Sequence, residues 1–542
     1  MANENNTTKV AATTSYDAVI VGAGFAGMYM LHKMRGMGMT ARVYDAAKGV
    51  GGTWYWNRYP GARCDVMSHD YSFSFDKELE QEWEWSEKYS TQPEILRYAN
   101  HVADRYELWP DMQFETRIDS AVFDENTKRW TVKTDQGDVI SAMHVVMATG
   151  TLSAAKQPDL PGHETFAGET YMTSKWPHEG VDFTGKKVGV IGTGSSAIQS
   201  IPIIAEQADH LTVFQRTPNF SLPAGNSPTE KKFITDLKSD YPTYRQAAKE
   251  SFFGVPVEVT DDLALDADKT ERDAKYQEGW DSGSLVGVLG AYADLLFDKE
   301  ANDTAAEFVR EKIRATVDAP ELAELLCPDD YPFGTKRPCL DTGYYEAFNR
   351  EDVRLVDLRK TPLDSMDTNG VNTTDEHFDF DVVVYATGFD AMTGAVTRVD
   401  ISGLDGKKLA DEWEGGPQNY LGLCVSGFPN FYVVTGPGSP SVLSNMMVSI
   451  EQHIEWIADL MQYMRDNDKS TVDPSIEAQE EWVAHVAEAG DGTLYPLANS
   501  WYMGANVPGK PRVFLPYIGG CGPYRERCDE IAAEGYTGFV LA

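Results

Sequence analysis

Gly22, Gly24 and Gly27, in Gly22-Ala23-Gly24-Phe25-Ala26-Gly27, find a near repeat in Gly192-Thr193-Gly194-Ser195-Ser196-Ala197. Each set follows a strand-like run, Ala18 to Val21 or Lys187 to Ile191, and opens a segment with helical periodicity. Small residues at this spacing let backbone N–H groups at a helix N-terminus approach a dinucleotide pyrophosphate, and Ala26 and Ala197 are small enough to keep the approach open. One such triad out of context is weak evidence. Two in full context predict two nucleotides and electron transfer between them.

The residues ending the next strand distinguish the two nucleotides. Asp45 follows the run Ala41 to Tyr44, where a carboxylate holds a free ribose hydroxyl pair, as in FAD or NAD. The second unit has Gln215-Arg216-Thr217 after Leu211 to Phe214, with no carboxylate. A guanidinium there forks onto a 2'-phosphate, so the second nucleotide is predicted to be NADPH.

The elements that must position these turns span 542 residues, too many for one core. Val145 to Gly150 and Val382 to Gly388 are near copies ending in Ala-Thr-Gly, and they read as two crossings between an outer domain and an inserted one. The expected fold is α/β, with two nested Rossmann-like dinucleotide-binding domains, for FAD and NADPH, and a helical insertion. Residues 1–15 read as a polar tail, 16–150 with 388–542 as the FAD domain, 151–219 with 331–387 as the NADPH domain, and 220–330 as the insertion. Ala305 to Arg310 and Pro320 to Leu326 fit amphipathic helices there. The insertion is either a cap over a cleft or a packing decoration.

Composition narrows the function. With 84 acidic and 47 basic residues the formal charge is −37, which disfavours nucleic acid and anionic membranes as partners. No apolar run reaches the ~18 residues of a membrane span, and the start lacks a signal-peptide core, so a cytoplasmic address is expected. The six cysteines, Cys64, Cys327, Cys339, Cys424, Cys521 and Cys528, form no Cys-x-x-Cys pair and no metal-ligand cluster. That argues against a disulfide reductase, the other common enzyme with two nucleotide folds, and no metal is expected.

Between the fingerprints, Gly51-Gly52-Thr53-Trp54-Tyr55-Trp56-Asn57-Arg58-Tyr59-Pro60-Gly61-Ala62-Arg63-Cys64-Asp65, followed by Tyr71, packs aromatics, glycines, cations and a carboxylate into a turn-rich stretch suited to wrapping a planar ring system. This segment resembles that of the type I Baeyer-Villiger monooxygenases, flavoproteins that use FAD, NADPH and O2 to insert oxygen beside a carbonyl. A second signature of that family, Phe-x-Gly-x-x-x-His-x-x-x-Trp-(Pro/Asp), is met by Phe166, Gly168, Trp176 and Pro177, with Met172 where the histidine stands. The likeness runs from Asp17 to Leu541 and is nearest the phenylacetone and steroid monooxygenase branch, whose active-site loop resembles Pro437 to Leu443.

The resemblance implies roles. Gly52, Thr53, Trp54, Trp56, Asp65 and Tyr71 join the first glycine turn and Asp45 around FAD. Thr193, Ser195, Ser196, Arg216, Thr217 and Lys336 hold NADPH, and Trp501 belongs to a mobile loop closing over the nicotinamide. Arg337 is the catalytic arginine and Asp65 the carboxylate that positions it. Pro440, Ser441, Val442, Leu443 and Met446 wall the substrate pocket.

The implied reaction converts aryl-aliphatic, bulky cyclic or steroid-like ketones to esters or lactones through a C4a-peroxyflavin and a Criegee intermediate. Sulfide oxidation is a side activity. A thioether cannot donate the hydrogen bonds of an imidazole, so Met172 leaves two alternatives open: a largely uncoupled NADPH oxidase releasing hydrogen peroxide, and a sulfide monooxygenase. A nucleotide-sensing protein without turnover is the third reading, and Arg337 with Asp65 speaks against it. The partners expected are a small ketone or sulfide and O2, with the chain a monomer or a weak homo-oligomer.

Overall fold

The structure, a computed structural model, describes residues 14–257 and 260–542, so positions 1–13 of the expected polar tail lie outside it. Six strands open the chain: β1 (Thr14–Val21), β2 (Ala41–Tyr44), β3 (Met112–Gln113), β4 (Ile118–Asp124), β5 (Arg129–Thr134) and β6 (Val139–Met147). Thr14 and Ser15, read from sequence as tail, instead begin β1 and pair with Ile140 and Ser141. A neighbouring strand supplies partners for their backbone groups, which outweighs their polar side chains.

Three strands follow, β7 (Glu169–Met172), β8 (Lys187–Ile191) and β9 (His210–Gln215), then β10 (Ser221–Pro223), β11 (Cys339–Asp341) and β12 (Val353–Asp357). The remainder are β13 (Leu363–Met366), β14 (Gly370–Thr373), β15 (His377–Asp379), β16 (Val382–Tyr385), β17 (Asp400–Ser402), β18 (Phe431–Val433), β19 (Val472–Pro474) and β20 (Phe539–Leu541).

Two sheets carry the architecture. The first runs β17-β4-β5-β6-β1-β2-β3, with β18 also on β6, so strands from both ends of the chain build it. The second runs β12-β9-β8-β16-β7 and is parallel throughout. Parallel strands buried on both faces are uniformly apolar. Accordingly Val19, Ile20, Val188, Val190 and Val382 to Val384 are all fully buried.

The two Ala-Thr-Gly segments do the same job in each sheet. The Ala148 N–H donates to Val21 O and the Ala386 N–H to Ile191 O, both at 2.9 Å. The carbonyls of these alanines then press on the first glycine of each turn: a Cβ on Gly22 would sit 2.6 Å from Ala148 O, and one on Gly192 2.5 Å from Ala386 O. Both glycines also have positive φ, +108° and +117°. Only glycine satisfies both demands. Between β10 and β11, which pair in parallel, lie helices Lys231–Ser239, Tyr241–Glu250, Lys269–Asp281, Lys299–Thr316 and Pro320–Leu326.

Candidate active site

Each glycine turn delivers the N-terminus of a long helix. Helix Phe25–Gly36 starts at Gly24 and helix Ser195–Gln207 at Gly194, and neither has a side-chain cap. Their first N–H groups are therefore available to an anion. At the first turn Gly24 faces Gly52, where a Cβ would lie 3.0 Å from Gly24 Cα, so two backbones approach with nothing between them. Gly27 is forced by packing, since its Cβ would be 1.8 Å from Gly22 O, and Ala26 is buried. At the second turn a Cβ on Gly194 would meet nothing within 4 Å. The second turn is open and the first is approached by a second glycine backbone; both present uncapped N–H donors of the kind a pyrophosphate takes, so the residues present fit two dinucleotides.

Asp45 follows β2 and accepts from the Ala23 and Ala47 N–H groups at 2.6 and 2.7 Å. Burial pushes its carboxyl up, partly countered by those two bonds. Each oxygen keeps a lone pair for a ribose hydroxyl. The Gly52–Trp56 stretch turns into a short helix, Thr53–Trp56, with Thr53 exposed and Trp54 buried. Trp54 Nε1 donates to Tyr71 Oη at 3.1 Å, and Trp56 packs edge-on against Tyr55.

The loop between Asn57 and Asp65 crosses to the second unit. The Tyr59 hydroxyl donates to Gln199 Oε1 at 2.9 Å, and Gln199 Nε2 donates to the Arg63 carbonyl at 3.1 Å. At its end Asp65 meets Arg337, 272 residues away in sequence, through Nε to Oδ2 at 2.7 Å and Nη2 to Oδ1 at 3.0 Å. A third donor, Nη1, reaches the Val442 carbonyl at 2.9 Å. Burial pushes the Asp65 carboxyl up, but the adjacent guanidinium and its hydrogen bonds outweigh it and hold Asp65 below the usual carboxylate range. Burial likewise opposes the charge on Arg337, yet Asp65 and the nearby Tyr502 hold its pKa above the usual value. A guanidinium has five N–H donors, so after these three bonds two remain.

The second turn is linked to the same place. Ser195 Oγ lies 3.1 Å from the sulfur of Cys339, two residues beyond Arg337. Thr193 donates to the Thr217 carbonyl at 2.8 Å, and Ser196 Oγ lies 3.0 Å from Thr173 Oγ1. Arg216 is exposed, while Lys336 rests over the Tyr331 ring at 4.2 Å. Burial lowers the Lys336 pKa, and the field of Arg216 adds to it against Asp330.

The remaining sequence-assigned residues fall into two groups. Pro440, Ser441 and Val442 are buried, Leu443 and Met446 half-buried, and the segment leads into helix Met446–Asp466, capped by Asn445. Val442, Leu443 and Met446 share an apolar cluster with Tyr502 and half-buried Trp501, which packs on Tyr502 at 4.1 Å. In the signature, Phe166 and Met172 join a cluster around Ile191, Phe214 and Phe380, and a Cβ on Gly168 would meet Asp381 O at 2.5 Å. Trp176 is buried against Tyr171, with Pro177 beside it. Met172 ends β7 opposite Tyr385.

Two contacts had no reading in the sequence: the Val442 carbonyl and Tyr502. A backbone acceptor leaves no trace in residue type. All six cysteines are buried and unpaired, no helix among the described residues is long and apolar enough to cross a membrane, and no metal-ligand cluster occurs among them.

Two nucleotide-type turns, with an arginine held by Asp65 and the Val442 carbonyl, are the features of an oxidoreductase of the two-dinucleotide class. A family model described as pyridine nucleotide-disulphide oxidoreductase matches residues 19–240. The chain is 43% identical over 533 residues to an acetone monooxygenase (methyl acetate-forming) of Gordonia sp. (strain TY-5), covering 98% of this chain and 100% of the other. It is 52% identical to a solved oxidized steroid monooxygenase bound to NADP, with TM-score 0.94 over 97% of this chain and 99% of that one. A cyclohexanone monooxygenase from Rhodococcus sp. Phi1 bound to NADP+ is 42% identical at TM-score 0.96, covering 98% and 99%. A named Baeyer-Villiger monooxygenase of Pseudooceanicola batsensis is 40% identical over 538 residues, 99% of this chain and 97% of the other. The chain belongs to the Baeyer-Villiger monooxygenase family.

Proposed function

We propose that this protein, an FAD-containing and NADPH-dependent monooxygenase, oxygenates aryl-aliphatic, bulky cyclic or steroid-like ketones to esters or lactones. The observation that carries the reading is Arg337, gripped in a two-bond fork by Asp65 and by the Val442 carbonyl between the two glycine turns. FAD held at the first turn would supply a hydride acceptor for NADPH and a centre for activating O2.

The chain's own residues do the rest. Gly22, Gly24 and Gly27 with Gly52 admit the FAD pyrophosphate and Asp45 its ribose. Gly192 and Gly194 do the same for NADPH, with Arg216 and Lys336 on its 2'-phosphate. Arg337 keeps its charge at every working pH and turns two free N–H groups toward the carbonyl oxygen as negative charge develops there. Asp65 fixes the fork's direction. Val442, Leu443 and Met446 wall the pocket and exclude water, with Trp501 in the same apolar cluster.

Relatives support the ketone class, since the Gordonia protein is named for acetone and the 52% identical neighbour for steroids. The test is a paired assay on purified yellow protein with phenylacetone, following NADPH, benzyl acetate and hydrogen peroxide. Ester matching NADPH sustains the reading. Peroxide without ester, with phenylacetone and with steroid ketones, overturns it. Sulfides are the second substrate class, read as sulfoxide in the same assay.

Met172 favours a second reading, in which much of the NADPH is consumed without product. Its side chain is half-buried in an apolar cluster and offers no hydrogen bond donor. Met172→His is expected to raise the ratio of ester to NADPH. An unchanged ratio removes this site from the control of coupling.

The two turns are expected to separate the cofactors. Gly192→Ala, clashing with Ala386 O, should leave a yellow protein whose FAD is no longer reduced by NADPH, while Gly22→Ala should yield colourless protein. Absorbance at the flavin band and titration with NADP+ check both.

A further inference from the structure

Arg337 is gripped on two sides by residues far apart in the chain, the Asp65 carboxylate and the Val442 carbonyl. Its direction therefore depends on whatever fixes the spacing between those two segments. Val442 lies in the tight turn Ser441–Leu443, closed by Leu443 N–H to Pro440 O at 2.8 Å and Ser444 N–H to Ser441 O at 3.0 Å, and Asn445 follows directly. From Asp65 the chain runs into a second turn, in which the Asp70 and Tyr71 N–H groups donate to Met67 O at 2.9 and 3.0 Å.

Asn445 joins the two. Its Nδ2 donates to the Asp70 carbonyl at 2.8 Å, while its Oδ1 accepts the Met447 N–H at 3.1 Å and caps helix Met446–Asp466. Asn445 and Asp70 are 2% and 3% exposed, so the bond between them is made away from water, where it is strongest. Chain and side chains then close a ring from Asp65 through Arg337, Val442, Asn445 and Asp70 back to Asp65. The helical insertion holds this tie at both ends. The Asn445 N–H donates to Phe253 O at 2.8 Å, and the Tyr244 hydroxyl donates to Asp70 Oδ1 at 2.8 Å. Gly254 comes so close that a Cβ there would lie 3.1 Å from Asn445 N. Capping needs only an acceptor, which Ser, Thr or Asp supplies equally well, so the cap does not account for the amide.

We propose that Asn445 is a positioning residue for Arg337, keeping the Asp65 side and the Val442 side of its grip at one spacing, with the insertion bracing the tie. The proposal rests on the oxygenating role read for Arg337 above. Asn445 bonds to neither glycine turn, so reduction of the flavin by NADPH does not depend on it.

The test uses FAD-loaded full-length protein with phenylacetone, reading flavin reduction by stopped flow, the ratio of ester to NADPH, and the unfolding temperature. Asn445→Asp keeps the cap acceptor and loses the amide donor. Asn445→Ser does the same without adding charge, its hydroxyl ending one bond short of the Nδ2 position. Both are expected to reduce flavin within about twofold of the parent and to unfold within a few degrees of it, while the ester ratio falls by about fivefold or more, as a small misplacement of a catalytic group does. Asn445→Ser combined with Asp65→Asn should lower the ratio by clearly less than the product of the two separate effects, because both act through the direction of one guanidinium. An unchanged ratio in both single variants, with ester lost in Arg337→Ala, overturns the proposal and leaves the reading of Arg337 intact. Ester retained in Arg337→Ala overturns the two together. Separate effects that simply multiply, reduction that falls as far as the ester ratio, or loss of bound flavin in both single variants makes Asn445 a general structural residue and overturns the positioning role.

Discussion

Arg337→Ala is expected to leave FAD binding and its reduction by NADPH within a few-fold of the parent protein while ester formation falls by at least about 10²-fold. The figure follows from removing one preorganised donor to a developing oxyanion, about 3 kcal/mol or more. Reduction survives because Arg337 touches neither glycine turn; its three bonds go to Asp65 and Val442. The NADPH then consumed should appear as hydrogen peroxide. Asp65→Asn provides the companion measurement. It keeps the shape but removes the counter-charge, so the guanidinium remains and its direction is held by one bond instead of two. Its effect should be smaller, on the order of tenfold, because an amide oxygen still accepts one of the two bonds. Stopped-flow reduction paired with product analysis reads both. Ester formation retained in Arg337→Ala would sink the role assigned to it, whatever the reduction rate.

The parts legible in the sequence are those where backbone geometry leaves one residue type. Gly22 and Gly192 sit at positive φ with a carbonyl in the place of a Cβ, so the turns announce themselves, and the Ala-Thr-Gly segments that press on them repeat for the same reason. The alternation of these units with apolar strands then implies a parallel core in each sheet, which β1, β2 and β6 supply in the first, while the antiparallel β4-β5-β6 meander attached to it had no such signal. Other features were hidden by their chemistry. Arg337 finds Asp65 across 272 residues, and only the family resemblance pointed to the pair. Asp45 reads as a ribose ligand, but the structure adds that its oxygens already organise the Ala23 and Ala47 amides. Charged residues were hardest: among 131 of them, nothing in type or spacing separates a buried Arg from a solvated one.

Arg245 and Glu80 illustrate that difficulty and set the largest stability effect. They lie 165 residues apart and are 6% and 8% exposed, with Arg245 Nε donating to Glu80 Oε1 at 2.7 Å. Arg245 Nη2 adds a bond to Ser72 Oγ at 2.8 Å, and the guanidinium lies 5.1 Å from the Tyr241 ring. One residue before, the Tyr244 hydroxyl donates to Asp70 Oδ1 at 2.8 Å. Helix Tyr241–Glu250 of the insertion is thereby riveted to residues 70–80, the segment that leaves Asp65. Glu80→Ala strands a buried guanidinium, which costs about 3–5 kcal/mol. The loss should be local first, since the helix can swing out to solvate Arg245 without opening either sheet. Amide exchange in residues 241–250 is expected to accelerate by on the order of 10²–10³-fold, with exchange in β1 and β8 unchanged. The double substitution Glu80→Leu with Arg245→Met should recover most of the protection, because well-packed apolar groups replace an ion pair at little cost. Unaltered exchange in Glu80→Ala would mean that Ser72 and Tyr241 suffice to hold the arginine. If the pair does hold residues 70–80, Glu80→Ala also loosens the far side of the loop that presents Asp65, and oxygenation should fall while NADPH binding does not.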